Sequence, residues 1–242
     1  MNYQQIEQLA AGVYETCDVR EVPIDCFTIL EHYGLKAINI DIWKKTQPEL
    51  YSLCLNFSED SFLYRTKKLI IYKDLDRNRT RFSLMHELGH YLMNHQRGTH
   101  AEEREANHFA SYILAPRPLI RYMGTPTPRN LSLCFGISLQ AAEIAAREYY
   151  VWWNHLHDGL SDWEEQILIR FLGPDYASKH SWQTRDCDWW ASSPYYPPER
   201  RVYPYCPELY RSSYVPRRAS YFLSAEEEEL FNRLEDKYYS PG

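Results

Sequence analysis

The segment from about Thr80 to Asn94, TRFSLMHELGHYLMN, restricts the possible folds of this chain more than any other. Phe82, Met85, Leu88, Gly89 and Leu92 spread around most of a helical circumference, and a helix that is apolar on most sides is a buried one. Yet the same turn carries His86, Glu87 and His90. Ionisable groups in an apolar setting are costly unless they are paired or coordinated, so any fold of this chain must bring partners to them. His86 and His90 lie four residues apart and share one helix face. Two neutral imidazoles so placed can grip one metal ion, and zinc is a common one. Glu87, beside the first of them, is placed to take a proton from a water that the ion polarises.

A catalytic zinc needs a third protein ligand and an open position. A third histidine in the arrangement HExxHxxGxxH would need glycine at 93 and histidine at 96, where this chain has Met93 and Gln96. A carboxylate from the next helix, about 101–115, is the remaining source. Ala106, Phe109, Ala110, Ile113 and Leu114 define its buried face, and Glu102 and Glu103 flank that face. Glu105 is turned further toward solvent. Periodicity leaves Glu102 and Glu103 level. Glu103 has Asn107 at i+4, where an amide could orient a ligand histidine.

Around this pair of helices the chain alternates in type. A helix is expected over 4–16, and a second opens at Pro23 and stops at Gly34. Three strands are expected, at Leu35–Ile42, Ser52–Phe57 and Leu69–Tyr72. Pro116 and Pro118 end the second motif helix. Two further helical pieces at 131–149 are divided by Gly136, with a spacing like that of a helix–turn–helix and two simply packed helices as the plainer reading. A terminal helix over Ser224–Tyr239 starts with Ser224 and Glu227 in a capping box.

RFSLMHELGHYLMNH followed by EREANHFASYILAP resembles the ImmA/IrrE metallopeptidases, whose pattern is RFTLAHELGH, a loop, and a Glu-x-x-Ala-Asn-x-Phe-Ala-x-x-Leu-Leu-x-Pro helix. The resemblance covers about residues 20–150. It implies His86, His90 and Glu103 as zinc ligands, Glu87 as general base, and Asn107 supporting the ligands from behind. It also implies a gluzincin-like endopeptidase acting on a helix–turn–helix repressor of a mobile element or stress response. The expected architecture is α+β: a small mixed sheet of about three strands on a zincin-like pair of metal-binding helices, followed by a helical C-terminal part and an aromatic, proline-rich extension. The core is expected to span 1–155 and the extension 156–242. Manganese or another divalent ion also suits nitrogen and oxygen donors.

Other residues support narrower readings. His95 and His100 are candidates to hold substrate or polarise its carbonyl, with a solvated loop histidine as the plainer reading. Tyr64, Tyr91 and Tyr112 are further candidates, with packing favoured, and His108 is expected on a polar helix face. SLCLNF is a candidate edge for strand addition by a peptide.

Composition limits the rest. Net charge is −6, which supplies no global basic field for nucleic acid, so direct nucleic-acid binding is not expected. No apolar run approaches the ~20 residues that span a bilayer, and the first residues lack the basic start and apolar run of a secretory leader. The six cysteines form no CxxC, which suits reduced thiols in the cytoplasm. Aromatics make up 15% of the chain, and beyond residue 172 they gather with proline. There Tyr, Trp and Arg are typical interface anchors. A second reading follows from them: a metal-stabilised regulatory protein that controls a repressor or toxin–antitoxin partner without cleaving it. That region is expected to pack on the core. A second metal site at His180, Cys187 and Cys206, and a nucleic-acid surface at Arg200, Arg201, Arg211, Arg217 and Arg218, are weaker alternatives.

Overall fold

Helix α1 runs Tyr3–Thr16, where Ile6, Ala10 and Val13 supply its buried stripe. The second helix starts later than Pro23. Asp25 accepts hydrogen bonds from the backbone N–H groups of Phe27 and Thr28, so α2 spans Cys26–His32. Gly34 ends it in the left-handed conformation, with φ of 69°. The computed structural model describes residues 1–58, 60–122, 126–154, 156, 159–176 and 223–239. The tract with His180, Cys187, Cys206 and the five arginines lies outside the described residues.

The expected three-strand mixed sheet is present, but one of its strands is a different segment. β1 is Lys36–Asn39, shorter than expected. The Asn39 side chain accepts from Asp41 N–H and turns the chain into a 3-10 turn at Ile40–Ile42, followed by the short helix α3, Trp43–Thr46. Ser52–Phe57 is not a strand: it belongs to helix α4, Pro48–Phe57. Leu53, Leu55 and Phe57 alternate, but Leu50, Leu53, Cys54 and Phe57 also follow helical spacing. Pro48 in the first turn favours the helix. Leu50 and Cys54 are buried while Leu55 is exposed, so SLCLNF is no edge for strand addition. The strand beside the motif helix is β2, Ser61–Tyr64, buried throughout. β3 is Leu69–Tyr72. The order is β1-β3-β2. β1 runs parallel to β3, with Lys36 opposite Leu69, and β2 antiparallel, with Ser61 opposite Tyr72.

By packing, the chain falls into two units. The first holds Met1–Ile6, Asp25–Ala110 and, of the C-terminal part, the described residues 223–239. Two long helices cross it: α5, Arg77–Leu92, and α6, His100–Leu114, up to Ala110. One core lies among Ile40, Trp43, Leu50, Cys54, Phe62, Tyr64, Leu69, Ile71 and Phe231. Phe231 comes from the terminal helix, Ala225–Tyr239. It meets Tyr64 edge-on at 5.0 Å between ring centroids. The expected capping box is present: Ser224 N–H donates to the Glu227 carboxylate, and Glu227 N–H donates to Ser224 Oγ.

The second unit holds Glu7–Ile24 and residues 111–176. Its helices include α7, Arg117–Ile120, α8, Pro128–Phe135, α9, Leu139–Asn154, and α10, Asp162–Leu172. Gly136 divides α8 from α9 at φ of 62°. Tyr14 Oη donates to the Ile113 carbonyl at 2.6 Å, and Arg117 donates to Glu7 at 2.5 Å. No helix among the described residues is long and apolar enough to cross a membrane.

Candidate metal centre

Asp76 caps the motif helix by accepting from Asn78 and Arg79 N–H. The other end is held from β2's side, where the Arg65 guanidinium donates to the carbonyls of His90 at 2.7 Å, His95 at 3.2 Å and Tyr91 at 3.3 Å. The carbonyls of His90 and Tyr91 are among those that a helix C-terminus leaves without intrahelical partners, and that of His95 lies just beyond the helix. Between the caps, Thr80 to His90 are buried except for half-buried Phe82. Gly89 lets α6 approach: a Cβ there would lie 3.0 Å from Phe109 Cδ1 and 3.3 Å from Phe109 Cβ.

This approach brings Glu103 to the two histidines. Nε2 of His86 and Nε2 of His90 are 3.0 Å apart. Glu103 places Oε2 3.3 Å from His86 Nε2 and Oε1 3.3 Å from His90 Nε2. Zinc with Zn–N bonds of 2.0–2.1 Å in tetrahedral geometry needs donor separations of about 3.3 Å. All three donor atoms lie within 4.8 Å of one another, so this group could hold a metal ion.

Hydrogen bonding supports that fit. Asn107 Oδ1 lies 2.9 Å from His86 Nδ1. An amide oxygen only accepts, so Nδ1 carries the proton and Nε2 keeps its lone pair. Oε1 of Glu103 and Oε2 of Glu87 are buried without hydrogen-bond partners. Buried oxygens are seldom left so, and a cation beside them would satisfy the set.

The charges respond to one another. Burial pushes Glu87 up to about 7, against the opposing pull of His86 and the Ser61 hydroxyl. Burial likewise pushes His90 down to about 4. For Glu103 burial acts upward, but the neighbouring His86 and His90 outweigh it and hold the carboxyl at about 2.

Glu102, level with Glu103 by periodicity, has a different task. Its carboxylate accepts from the backbone N–H groups of Gln96, Arg97 and Thr99 at 3.1, 3.2 and 2.9 Å. It closes the loop between α5 and α6 and is absent from the donor group. Two residues had no signal in the sequence. Ser61 donates to Glu87 Oε1 at 2.8 Å, and Arg65 caps the motif helix. Both lie on or just after β2, more than twenty positions from their partners, and only strand pairing places them there.

The remaining candidates fall elsewhere. His95 is buried, with Nδ1 3.0 Å from His90 Nδ1 and Nε2 2.9 Å from Glu105 Oε2. Glu105 is half-buried and more exposed than Glu103, as expected, yet one of its oxygens meets this ring. His100 is exposed at the start of α6. His108 is not on a polar face: it is buried, with its ring 4.3 Å from that of Tyr3. Tyr64 donates to Asn232 at 3.0 Å, away from the donor group. Tyr91 lies under the Arg65 guanidinium. Tyr112 is buried in the second unit.

No curated protein and no solved structure matches the chain. A family profile does match residues 52–147, namely Peptidase_M78, described as the IrrE N-terminal-like domain. The match begins within α4 and takes in β2, β3 and both helices of the donor group, so the ImmA/IrrE resemblance read from HELGH and EREAN holds over that stretch. Over residues 52–147 the chain is thus similar to the IrrE N-terminal-like domain of a metallopeptidase family.

Proposed function

We propose that the protein is a zinc-dependent endopeptidase, with His86, His90 and Glu103 as metal ligands and Glu87 as general base. The observation that carries this reading is the convergence of those three donors beside a buried glutamate with one oxygen left free. The ion, when bound, polarises the scissile carbonyl and the attacking water. Ser61 holds Oε1 of Glu87, which leaves Oε2 to take the proton and pass it to the leaving amine. Asn107 keeps His86 in the tautomer that binds metal.

β2 is at the edge of the sheet and reaches Glu87 through the Ser61 hydroxyl and the Leu63 backbone. The substrate is a protein, in this reading a helix–turn–helix repressor of a mobile element or stress response. The catalytic core is 1–155, with 156–242 as its extension. The protein acts in the cytoplasm, consistent with free Cys17, Cys26, Cys54 and Cys134. Control of a partner by binding alone would need the metal group but not the free oxygen of Glu87, and that oxygen favours hydrolysis.

Co-expression with a candidate repressor, followed by mass spectrometry, tests this. Fragments should form with wild type and not with Glu87→Gln, which should retain zinc. Undiminished cleavage by Glu87→Gln would overturn the mechanism. A stable complex without fragments would favour association.

A further inference from the structure

His95 belongs neither to the donor group nor to any surface that a substrate could reach. It is buried, and both ring nitrogens are engaged. Its backbone is held as well: His95 N–H donates to the His90 carbonyl at 3.1 Å, and Arg65 donates to both residues' carbonyls. Asn94, at φ of 53°, makes the turn that folds His95 back under α5. Asparagine is among the few residues that adopt this conformation readily.

We infer that His95 and Glu105 are positioning residues for the metal-binding nitrogen of His90, acting as a two-member hydrogen-bond relay behind it. This rests on the reading of His86, His90 and Glu103 as the metal centre.

The proton positions follow from what each atom can do. The Glu105 carboxylate accepts and has no proton to give, so the hydrogen in the 2.9 Å contact sits on His95 Nε2. When His95 carries that one proton and no other, its Nδ1 is bare. The 3.0 Å contact between Nδ1 of His95 and Nδ1 of His90 must therefore be donated by His90. With its proton on Nδ1, His90 presents the lone pair of Nε2 to Glu103 and His86, as a metal ligand must. If His95 donated instead, His90 would hold its proton on Nε2 and could not bind. Glu105 selects the productive direction. Its second oxygen, Oε1, pairs with the Met1 amino group.

The same centre has a simpler version of this device. Asn107 Oδ1 does for His86, in one step from α6, what His95 and Glu105 do for His90 in two. A ligand histidine usually donates its second N–H to a carboxylate, carbonyl or water, and losing that partner typically costs 10–100-fold in metal affinity. The comparison gives a specific expectation. An amide oxygen at position 95 should replace the imidazole, whereas an apolar ring should not.

The test is the zinc affinity of the full chain, measured by competition with a chromophoric chelator, together with imidazole 15N spectra of the zinc-loaded protein. His95→Phe should bind zinc about 10–100-fold more weakly than wild type. His95→Gln should recover most of that loss, and Glu105→Gln should weaken binding by a smaller factor than His95→Phe. In wild type, the spectra should show His90 protonated at Nδ1 and His95 at Nε2. A purely structural role would lower the melting temperature of the variants without this order of affinities. Wild-type affinity in His95→Phe, equal losses in His95→Gln and His95→Phe, or a proton on Nδ1 of His95 would each overturn the inference. If His95→Phe does not fold, the His95→Gln affinity and the wild-type spectra decide. Wild type that binds no zinc would overturn the metal centre itself. Wild type that binds zinc beside indifferent variants would overturn only the relay.

Discussion

Asn107 stands one helical turn beyond Glu103 on α6, and its Oδ1 receives the Nδ1 proton of His86 across 2.9 Å. One helix thus supplies a carboxylate to the donor group and the amide that orients an imidazole on the facing helix. Asn107→Leu should weaken zinc binding about 10–100-fold while leaving the helices intact. Chelator competition with a circular-dichroism control reads both, and unchanged affinity would show that His86 needs no such support.

Glu102 and Glu103 should separate cleanly on substitution. Glu103→Ala should lose zinc by elemental analysis after dialysis. Glu102→Ala should retain it but lower stability by roughly 1–2 kcal/mol, because three backbone N–H groups lose a charged acceptor. Zinc loss in the Glu102 variant and retention in the Glu103 variant would reverse the ligand assignment.

The buried Glu87 makes the metal-free protein sensitive to pH. Its carboxyl is raised to about 7 in the fold from an ordinary 4.5. Between those values the folded protein holds a proton that the unfolded chain has lost, so stability falls as pH rises through this window. Gln at 87 stays neutral. With chelator present, Glu87→Gln should melt above wild type at pH 8, by an equivalent of at most about 3 kcal/mol. The gap should close toward pH 4.5. A gap that is the same at pH 5 and pH 8 would count against the buried carboxyl.

Gly89→Ala sets helix propensity against packing. Alanine favours a helix interior by up to about 1 kcal/mol. Its methyl group would meet Phe109 Cδ1 at 3.0 Å and Phe109 Cβ at 3.3 Å. Phe109 is fully buried, and its Cβ cannot rotate away. Overpacking of this kind costs typically 1–3 kcal/mol, so urea unfolding should show net destabilisation together with weaker zinc binding as α6 is pushed from α5. A stabilised variant with wild-type affinity would show that the helices have room.

Phe231→Ala tests whether the terminal helix is part of the unit that holds the donor group. Phe231 is fully buried against Tyr64 and Trp43. Truncating a buried phenylalanine costs about 3–5 kcal/mol. A loss below about 1 kcal/mol in denaturant titration would mean that the helix is dispensable to the core.

What could be read from the chain alone was what depends on neighbours within a turn or two. His86 and His90 at i and i+4, Glu87 beside them, Gly136 between α8 and α9, and the Ser224–Glu227 capping box are all local relations. A helix makes such relations geometric facts wherever it is placed. The α+β class followed from the same periodicities. Ser52–Phe57 shows the limit of that reading: its alternation and its helical stripe are both real, and burial of Leu50 and Cys54 decided between them. Other choices needed the tertiary structure. Glu103 faces the histidines and Glu102 the loop because Gly89 lets α6 pack against α5 at one particular rotation. Ser61 reaches Glu87, and Arg65 the end of the motif helix, because strand pairing closes more than twenty residues of intervening chain. His95 looked like a loop histidine until a left-handed Asn94 folded it beneath His90. Sequence spacing determined which residues could carry chemistry. Packing decided which of them face one another, because contacts between elements depend on rotations and registers that no local pattern encodes.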